Sequence, residues 1–376
     1  MKFFIKYILV KLVSFMLLPL YVLPLNKNKF LFISYGGRQY SCNPKYISEY
    51  LLENYHDSEV VWIFREPEKF NYLPKEIKKV KYLSFWHFYH VITSKFCITN
   101  MGFNKFFFIR RGQRFIQTWH GGGAYKKCGN SLNKSFFEKL LEECHGKLIS
   151  DFISSSKVFS DNVIKDFNYK GNILQIGMPR NSFLLKEKNN ELIKEKLKRS
   201  IDKNYHKEKF YILYAPTWRD DGDSYELPDF KDILNVVKER FNKDAVILFR
   251  SHHFQEINST KINDSSIDVT NYPDMQELLL VSDMLVSDYS SSIWDFSLLY
   301  KPCFLYTPDL SKYETMRGFY INIKEWGFDV CLNNSSLIEA IAKFETSFYQ
   351  RRIKNMHDKF GSFECIDSCD KLLNNN

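Results

Sequence analysis

The chain has 376 residues, of which 44% are hydrophobic and 17% aromatic, and a formal charge of +9. That apolar content excludes a disordered polymer, and the length points to two domains of about 100–200 residues rather than one core. The charge suits an anionic partner, but lysine and arginine are spread along the chain with no basic tail, which argues against nucleic acid.

The first 25 residues, MKFFIKYILVKLVSFMLLPLYVLPL, are mostly apolar, with Lys2, Lys6 and Lys11 as their charged side chains. As a signal peptide the segment lacks a small-residue cleavage site. As a spanning helix it is short, because the uninterrupted run begins at Leu12 and Pro19 and Pro24 break it. An interfacial anchor fits best, with lysines reaching lipid phosphates while Phe, Leu and Tyr sit at the acyl boundary.

From Lys29 the pattern alternates strands and helices. FLFIS (Phe30–Ser34), VVWIF (Val60–Phe64), FCITN (Phe96–Asn100), RFIQTW (Arg114–Trp119) and ILQIG (Ile173–Gly177) read as buried strands. NPKYISEYLLEN reads as a helix with Asn43 as N-cap and Pro44 at the first helical position. Residues 185–209 are dense in charge, which predicts a solvated helix and a domain boundary. The pattern then restarts with FYILYAP (Phe210–Pro216), AVILFR (Ala245–Arg250), DMLVSD (Asp283–Asp288) and CFLYTP (Cys303–Pro308). From about Ser347 the chain reads as a polar helical tail. The expected organisation is therefore an apolar membrane-associating segment at 1–28, Rossmann-like α/β domains at 29–195 and 205–346, and a helical tail at 347–376. Such strands form doubly wound parallel sheets, and ligands bind beyond their carboxyl ends.

Four of those strand ends carry unusual residues. Ile116–Trp119 runs into His120-Gly121-Gly122-Gly123, and Ile212–Ala215 into Pro216-Thr217-Trp218-Arg219. Val246–Phe249 leads to Arg250-Ser251-His252-His253, and Leu285–Val286 to Ser287-Asp288-Tyr289-Ser290-Ser291. Ser290 or Ser291 is placed to cap a helix over Ser292–Tyr300, and a helix N-terminus with flanking hydroxyls suits phosphate. Arg250 suits a phosphate clamp or a carboxylate partner, and His252 a hydrogen bond to a phosphoryl oxygen. Asp288 reads as structural or hydroxyl-binding, since a carboxylate repels phosphate. Arg317-Gly318-Phe319-Tyr320 adds a cation beside a flexible glycine. Asp220–Asp223 (DDGD) reads as a surface turn rather than a magnesium site. The eight cysteines are irregularly spaced, with no second close pair to complete a zinc site, and read as reduced thiols. No Gly-x-Ser-x-Gly, His-Glu-x-x-His or Walker A run is present.

In this order, SYGGRQYSCNPKYISEYL, QTWHG, GMPRN (Gly177–Asn181), YAPTWRDD (Tyr214–Asp221), RSH, SDYSSSIWDF (Ser287–Phe296) and RGFY resemble the CDP-glycerol glycerophosphotransferase family, the teichoic-acid-type polyol-phosphate transferases. The resemblance runs from about Phe30 to Tyr320. It implies a glycosyltransferase-B-type fold, with two Rossmann-like domains facing across a cleft. It also implies a CDP-polyol donor, a polyol-phosphate or glycan acceptor that includes lipid-linked wall or capsule polymers, no cofactor, no tightly bound metal, and a peripheral place on the cytoplasmic face of the membrane. Carried over by motif, His120 is the general base and His252 acts on developing charge. Gly121, Thr217, Arg219, Arg250, Asp288, Ser290, Ser291 and Arg317 belong to substrate binding. The chain departs from the family pattern after WHG (Gly-Gly-Ala-Tyr-Lys), at Ser182 in place of an acid, and after RGFY. Those changes bear on acceptor or polyol choice. Two other functions fit less well: a glycosyltransferase using a nucleotide sugar, and a non-catalytic binder of anionic polymer or lipid.

Overall fold

The structure, a computed structural model, describes residues 2–123, 125–131, 135–217, 219, 226–251 and 266–374. Two compact units form. One comprises Met1–Gly122, Cys128–Ser182 and Ser362–Asn376, the other Gly123–Lys127 and Phe183–Gly361. The chain thus changes unit at Ser182, ahead of the charge-dense stretch, whose helix Glu191–Ile201 buries no residue. The polar tail expected from Ser347 is also divided. Tyr349, Ile353, Met356 and Phe360 form a buried stripe on the helix Thr346–Phe360 of the second unit, and Ser362 onward returns to the first.

Among its described residues the first unit is built on seven parallel strands: β1 (Asn26–Ile33), β2 (Glu59–Phe64), β3 (Ile77–Lys81), β4 (Ser94–Thr99), β5 (Arg114–Gln117), β6 (Asp151–Ile153) and β7 (Asn172–Leu174), in the order β3-β2-β1-β4-β5-β6-β7. Successive side chains on a strand face opposite ways, so an unbroken apolar run means both faces are covered. On one face Leu31, Ile33, Val61 and Ile63 join Val91, Phe103, Phe107 and Leu148 in a single buried cluster. On the other, Phe32, Trp62, Phe64 and Phe70 stack in sequence with ring centroids 5.4, 5.5 and 3.9 Å apart. Burying each such ring contributes on the order of 1.5–3 kcal/mol.

Four helices of this unit matter below: α1 (Lys2–Leu17), α2 (Cys42–Asn54), α3 (Phe85–Thr93) and α4 (Phe136–Leu148). α2 corrects the expectation for Asn43. The helix begins at Cys42, Ser41 occupies the N-cap position without a side-chain bond, and Asn43 lies inside the first turn, fully buried. Its amide is directed elsewhere, as described below. α1 runs into a 3-10 turn, Leu18–Val22, that passes through Pro19, so Phe3–Val22 is helical throughout and long and apolar enough to cross a membrane.

Among its described residues the second unit has six parallel strands: β8 (Phe210–Tyr214), β9 (Ala245–Phe249), β10 (Ser266–Asp268), β11 (Met284–Ser287), β12 (Cys303–Tyr306) and β13 (Asp329–Cys331), ordered β10-β9-β8-β11-β12-β13. The winding direction reverses between β8 and β11, where open α/β sheets bind ligands. The first unit reverses in the same way between β1 and β4.

Two histidines of the first unit are buried as neutral acceptors. His87 Nδ1 accepts from Leu83 N (3.0 Å) and His145 Nε2 from Phe103 N (3.1 Å). Burial pushes both down to about 4. Because the unfolded chain binds protons near pH 6.5 and the folded rings do not, this stability is complete above that value and lost as pH falls from about 6.5 towards 4. Each ring contributes about 3 kcal/mol at most across that window. Urea denaturation at successive pH values should show stability falling through this window, with a shallower slope for His145→Gln, which keeps an acceptor and cannot ionise.

Candidate active site

In the first unit the site forms at the carboxyl ends of β1, β4 and β5. Asn100, immediately after β4, is fully buried: its Oδ1 accepts from Tyr35 N (2.8 Å) and its Nδ2 donates to Ser34 Oγ (3.1 Å). Its backbone carbonyl receives His120 Nδ1 at 2.8 Å. A carbonyl only accepts, so Nδ1 carries the hydrogen and the neutral ring has its lone pair on Nε2. The ring is flanked by Trp119 at 4.5 Å and Tyr35 at 5.8 Å between centroids. Trp119 itself has φ 54°, a left-handed turn that ends the strand just before the histidine.

Asn43 holds that turn. Its Nδ2 donates to the carbonyls of Thr118 (3.2 Å) and Trp119 (3.0 Å), and its Oδ1 accepts from Arg180 N (3.1 Å). The GMPRN segment therefore supports the histidine loop from behind. It is tied in turn to the returning chain: Met178 N and Asn181 Nδ2 donate to the Glu364 carboxylate at 2.9 and 3.0 Å. Ser182 donates its hydroxyl to Cys365 O (2.9 Å), a bond an ionised carboxylate cannot make.

The glycines after His120 have packing reasons. Gly121 is buried directly after the histidine. A Cβ on Gly122 would lie 2.8 Å from Met178, and Ser155 Oγ donates to the Gly122 carbonyl. A Cβ on Gly123 would lie 2.2 Å from Trp294 of the second unit, to which Gly123 belongs. Tyr125 is buried edge-on against Trp294 (4.6 Å) and Phe360 (5.3 Å). Lys126 bridges Phe319 in antiparallel fashion, Lys127 N donates to Gly318 O (3.0 Å) and Tyr320 N to Tyr125 O (2.7 Å). Tyr125–Lys127 are thus tied to the Arg317–Tyr320 segment, and Arg317 Nε donates to Lys127 O (3.2 Å).

In the second unit the reversal between β8 and β11 gathers Thr217, Arg219, Asp288, Ser290 and Ser291. The Asp288 carboxylate, 1% exposed, accepts from Thr217 N (2.9 Å), Thr217 Oγ1 (2.7 Å) and Arg219 Nη1 (2.8 Å). Arg219 also forks onto Asp309, Nε to Oδ2 at 2.6 Å and Nη2 to Oδ1 at 3.1 Å, and donates to Thr217 O. Burial alone would lower the guanidinium's affinity for its proton, but Asp288 and Asp309 outweigh it and raise it further. Tyr289 donates to Asp309 (3.0 Å), stacks on Tyr313 at 3.8 Å, and lies with it beneath the Arg219 cation. These directed bonds make Thr217, Arg219 and Asp288 a frame that sets the loop geometry. Ser290 Oγ accepts from Ser292 N (3.3 Å) and pairs with Ser292 Oγ (2.9 Å), at the start of a helix that runs only Ser292–Ser297. Ser290 and Ser291 are half-buried. Arg250, after β9, donates Nη1 to Tyr272 O (2.8 Å).

His252 and Asp220–Asp223 lie outside the described residues. Among the described residues no group of three or more His, Cys, Asp and Glu side chains forms a metal cluster. The sequence reading missed Asn43 as a support, Asn100 as the histidine's partner, and Asp309. The last was reachable, because Asp309 follows the end of β12 as Asp288 follows that of β11.

Two parallel α/β sheets, each reversing at its centre, with polar and charged residues gathered at the strand ends, define a protein of the glycosyltransferase-B fold class. Comparison with known proteins narrows this. The profile of the CDP-glycerol:poly(glycerophosphate) glycerophosphotransferase family matches residues 15–375, and the chain belongs to that family of transferases. It is 30% identical over 391 residues to the teichoic acid poly(glycerol phosphate) polymerase of Bacillus spizizenii, covering 99% of this chain and 98% of that one. It is 30% identical to the Staphylococcus epidermidis protein of the same description, over 89% of this chain and 48% of that longer relative. The solved structure of the wall teichoic acid polymerase TagF superposes with a TM-score of 0.82 at 27% identity, over 99% of this chain and 95% of that one. A single-histidine variant of TagF soaked with CDPG gives the same score.

Replacing Arg219 by Met should lower stability in urea by about 3–5 kcal/mol, because buried Asp288 and half-buried Asp309 lose their counter-charge. Arg219→Lys should recover only part of that, since an ammonium cannot reproduce the fork onto Asp309.

Proposed function

We propose that this chain transfers glycerol phosphate from CDP-glycerol to a terminal hydroxyl of a growing teichoic-acid-type polymer and releases CMP. The acceptor hydroxyl attacks the phosphorus that bears glycerol, and the bond from that phosphorus to the oxygen of CMP breaks. The hydroxyl proton passes to His120 Nε2. The observation that carries this reading is the bond from His120 Nδ1 to the Asn100 carbonyl, which leaves Nε2 as the basic nitrogen at a strand end.

The donor diphosphate falls to groups of the second unit. Arg250 and Arg317 supply positive charge, Ser290 and Ser291 supply hydroxyls, and Thr217, Arg219 and Asp288 hold the loop that presents them. Gly121 belongs with His120, and His252 is assigned to the charge that builds on the leaving phosphate. Catalysis on this reading is positioning plus electrostatic stabilisation, with no cofactor and no tightly bound metal required. The acceptor is a polymer carried on lipid at the cytoplasmic face of a membrane, which the apolar helix Phe3–Val22 supports.

Loss of a general base typically costs about 10²–10⁴-fold in rate. His120→Ala should therefore retain CDP-glycerol binding, read by calorimetry, while CMP release falls by about that factor. Near-normal turnover in that variant would overturn the role of His120. Release of nucleoside diphosphate from a nucleotide sugar, with none of CMP from CDP-glycerol or CDP-ribitol, would overturn the reaction. A second variant tests the support behind the histidine: Asn43→Ala should reduce kcat with little change in the affinity for CDP-glycerol, since its bonds run to Thr118, Trp119 and Arg180 of the first unit while the diphosphate groups belong to the second.

A further inference from the structure

The carboxyl edge of the first sheet carries a second group of polar side chains, away from His120. β2, β1, β4 and β5 lie side by side and run parallel, so Arg65, the Ser34–Cys42 loop, Asn100 and the His120 loop leave the sheet along one edge in that order. The ends of β1 and β5 are separated by about 9–10 Å, the width of two strand spacings. Three successive residues after β1 are left-handed: Tyr35 at φ 46°, Gly36 at 64° and Gly37 at 82°. Residues other than glycine seldom adopt that conformation. Here the turn offers two consecutive carbonyls to two arginines. Arg38 Nη1 donates to Tyr35 O (3.1 Å) and Arg65 Nε to Gly36 O (3.0 Å).

The frame under these arginines is tight. Gly37 O accepts from Arg65 N (2.7 Å), and a Cβ on Gly37 would lie 3.2 Å from Ile63 O. The Arg65 guanidinium also lies over the Tyr82 ring at 5.2 Å, and Tyr82 OH donates to Asn104 Oδ1 (2.8 Å). A Cβ built on Gly36 would lie 3.6 Å from Arg38 Nη1 and 4.0 Å from Arg65 Nη2, so the two forks converge over one backbone position that has no side chain. Both arginines are exposed, and among the described residues neither pairs with a carboxylate: Glu66, next in the chain, pairs with Lys69 (2.8 Å). Each guanidinium has five N–H groups, most of them still open to a ligand. Two like charges held this close repel each other. A phosphate relieves that repulsion, and its oxygens match the forks.

Tyr35 connects this pair with the reacting end. Its carbonyl holds Arg38, its N–H donates to Asn100 Oδ1 (2.8 Å), and its ring faces His120 at 5.8 Å. The hydroxyl that gives its proton to His120 belongs to the acceptor, and in a polymer of glycerol phosphate the next charged group along is a phosphodiester. We propose that Arg38 and Arg65 form a subsite for that phosphodiester, the one nearest the attacking hydroxyl, and so select an acceptor that already ends in a polyol phosphate. The inference rests on the role of His120 toward the acceptor given above, and adds the residues that read the acceptor's charge.

The test gives the full chain two acceptors that end in the same glycerol hydroxyl, a glycerol phosphate trimer and uncharged triglycerol. The wild type should prefer the trimer in kcat/KM, and salt should narrow the preference. Arg38→Gln combined with Arg65→Gln should lower that preference by about tenfold or more, as charge-assisted hydrogen bonds are lost. The change should fall on the KM for the trimer and leave the KM for CDP-glycerol where it was. Arg38→Lys combined with Arg65→Lys keeps both charges without the forks and should fall between. Calorimetric binding of the trimer, which needs no turnover, should weaken with the Gln pair by the same factor. That measurement separates the two readings: a wild type that releases no CMP but binds the trimer through these arginines would overturn the reaction and support the subsite. Three results would overturn the subsite. One is a trimer preference unchanged by the Gln pair. Another is an equal loss of turnover with both acceptors, as expected if the arginines only hold the loop at Tyr35. The third is a rise in the KM for CDP-glycerol that matches the rise for the trimer.

Discussion

A parallel sheet has to be covered on both faces, and every rule of position in this protein follows from that constraint. Strands that run the same way need crossovers on their faces, so the loops that leave the strands collect along one edge. Where winding reverses, between β1 and β4 and again between β8 and β11, neighbouring loops part and leave room for side chains. His120 stands near the first reversal, one strand beyond it. Thr217, Arg219, Asp288, Ser290 and Ser291 stand at the second.

Reactive geometry at both reversals depends on side chains that are themselves fully engaged. Asn43 and Asn100 are both buried: the Asn43 amide holds the Thr118–Trp119 turn, the Asn100 amide binds Tyr35 N and Ser34 Oγ, and the Asn100 backbone carbonyl so placed receives His120 Nδ1. Asp288, Arg219 and Asp309 form a closed ionic frame under the second set of loops. Buried charges of this sort are costly to desolvate and add little stability over apolar packing. Their value lies in fixing loops that short helices and turns alone would leave loose.

Much of this was legible in the sequence, and the exceptions have physical reasons. Buried strands such as VVWIF and FYILY announce themselves because both faces are apolar. The edge strand β3, with its sequence IKKVK, was not read because only Ile77 and Val80 are buried. β6, β10 and β13 are three residues long, too short to show a period. Composition around His120, Asp288 and Ser290 identified the loops. What each side chain does there was less visible, since Asn43 has the chemistry of a helix cap and Arg219 that of a phosphate clamp until their partners are known. The packing reason for Gly122 and Gly123 was not visible in the sequence, because it lies in Met178 and Trp294, which occupy the place of any side chain there.

The chain passes between its two units four times, at 122/123, 127/128, 182/183 and 361/362. No single cut therefore yields two whole folding bodies. A fragment carrying only residues 183–361 would lack the strand that pairs with Gly318–Tyr320 and the ring that covers Trp294 and Phe360. A fragment ending at 182 would lack Glu364 and Cys365, which close the loop behind His120. Dissection, permutation or domain exchange in this protein has to move sequence from three places at once, so the two halves are expected to have changed together rather than as exchangeable modules.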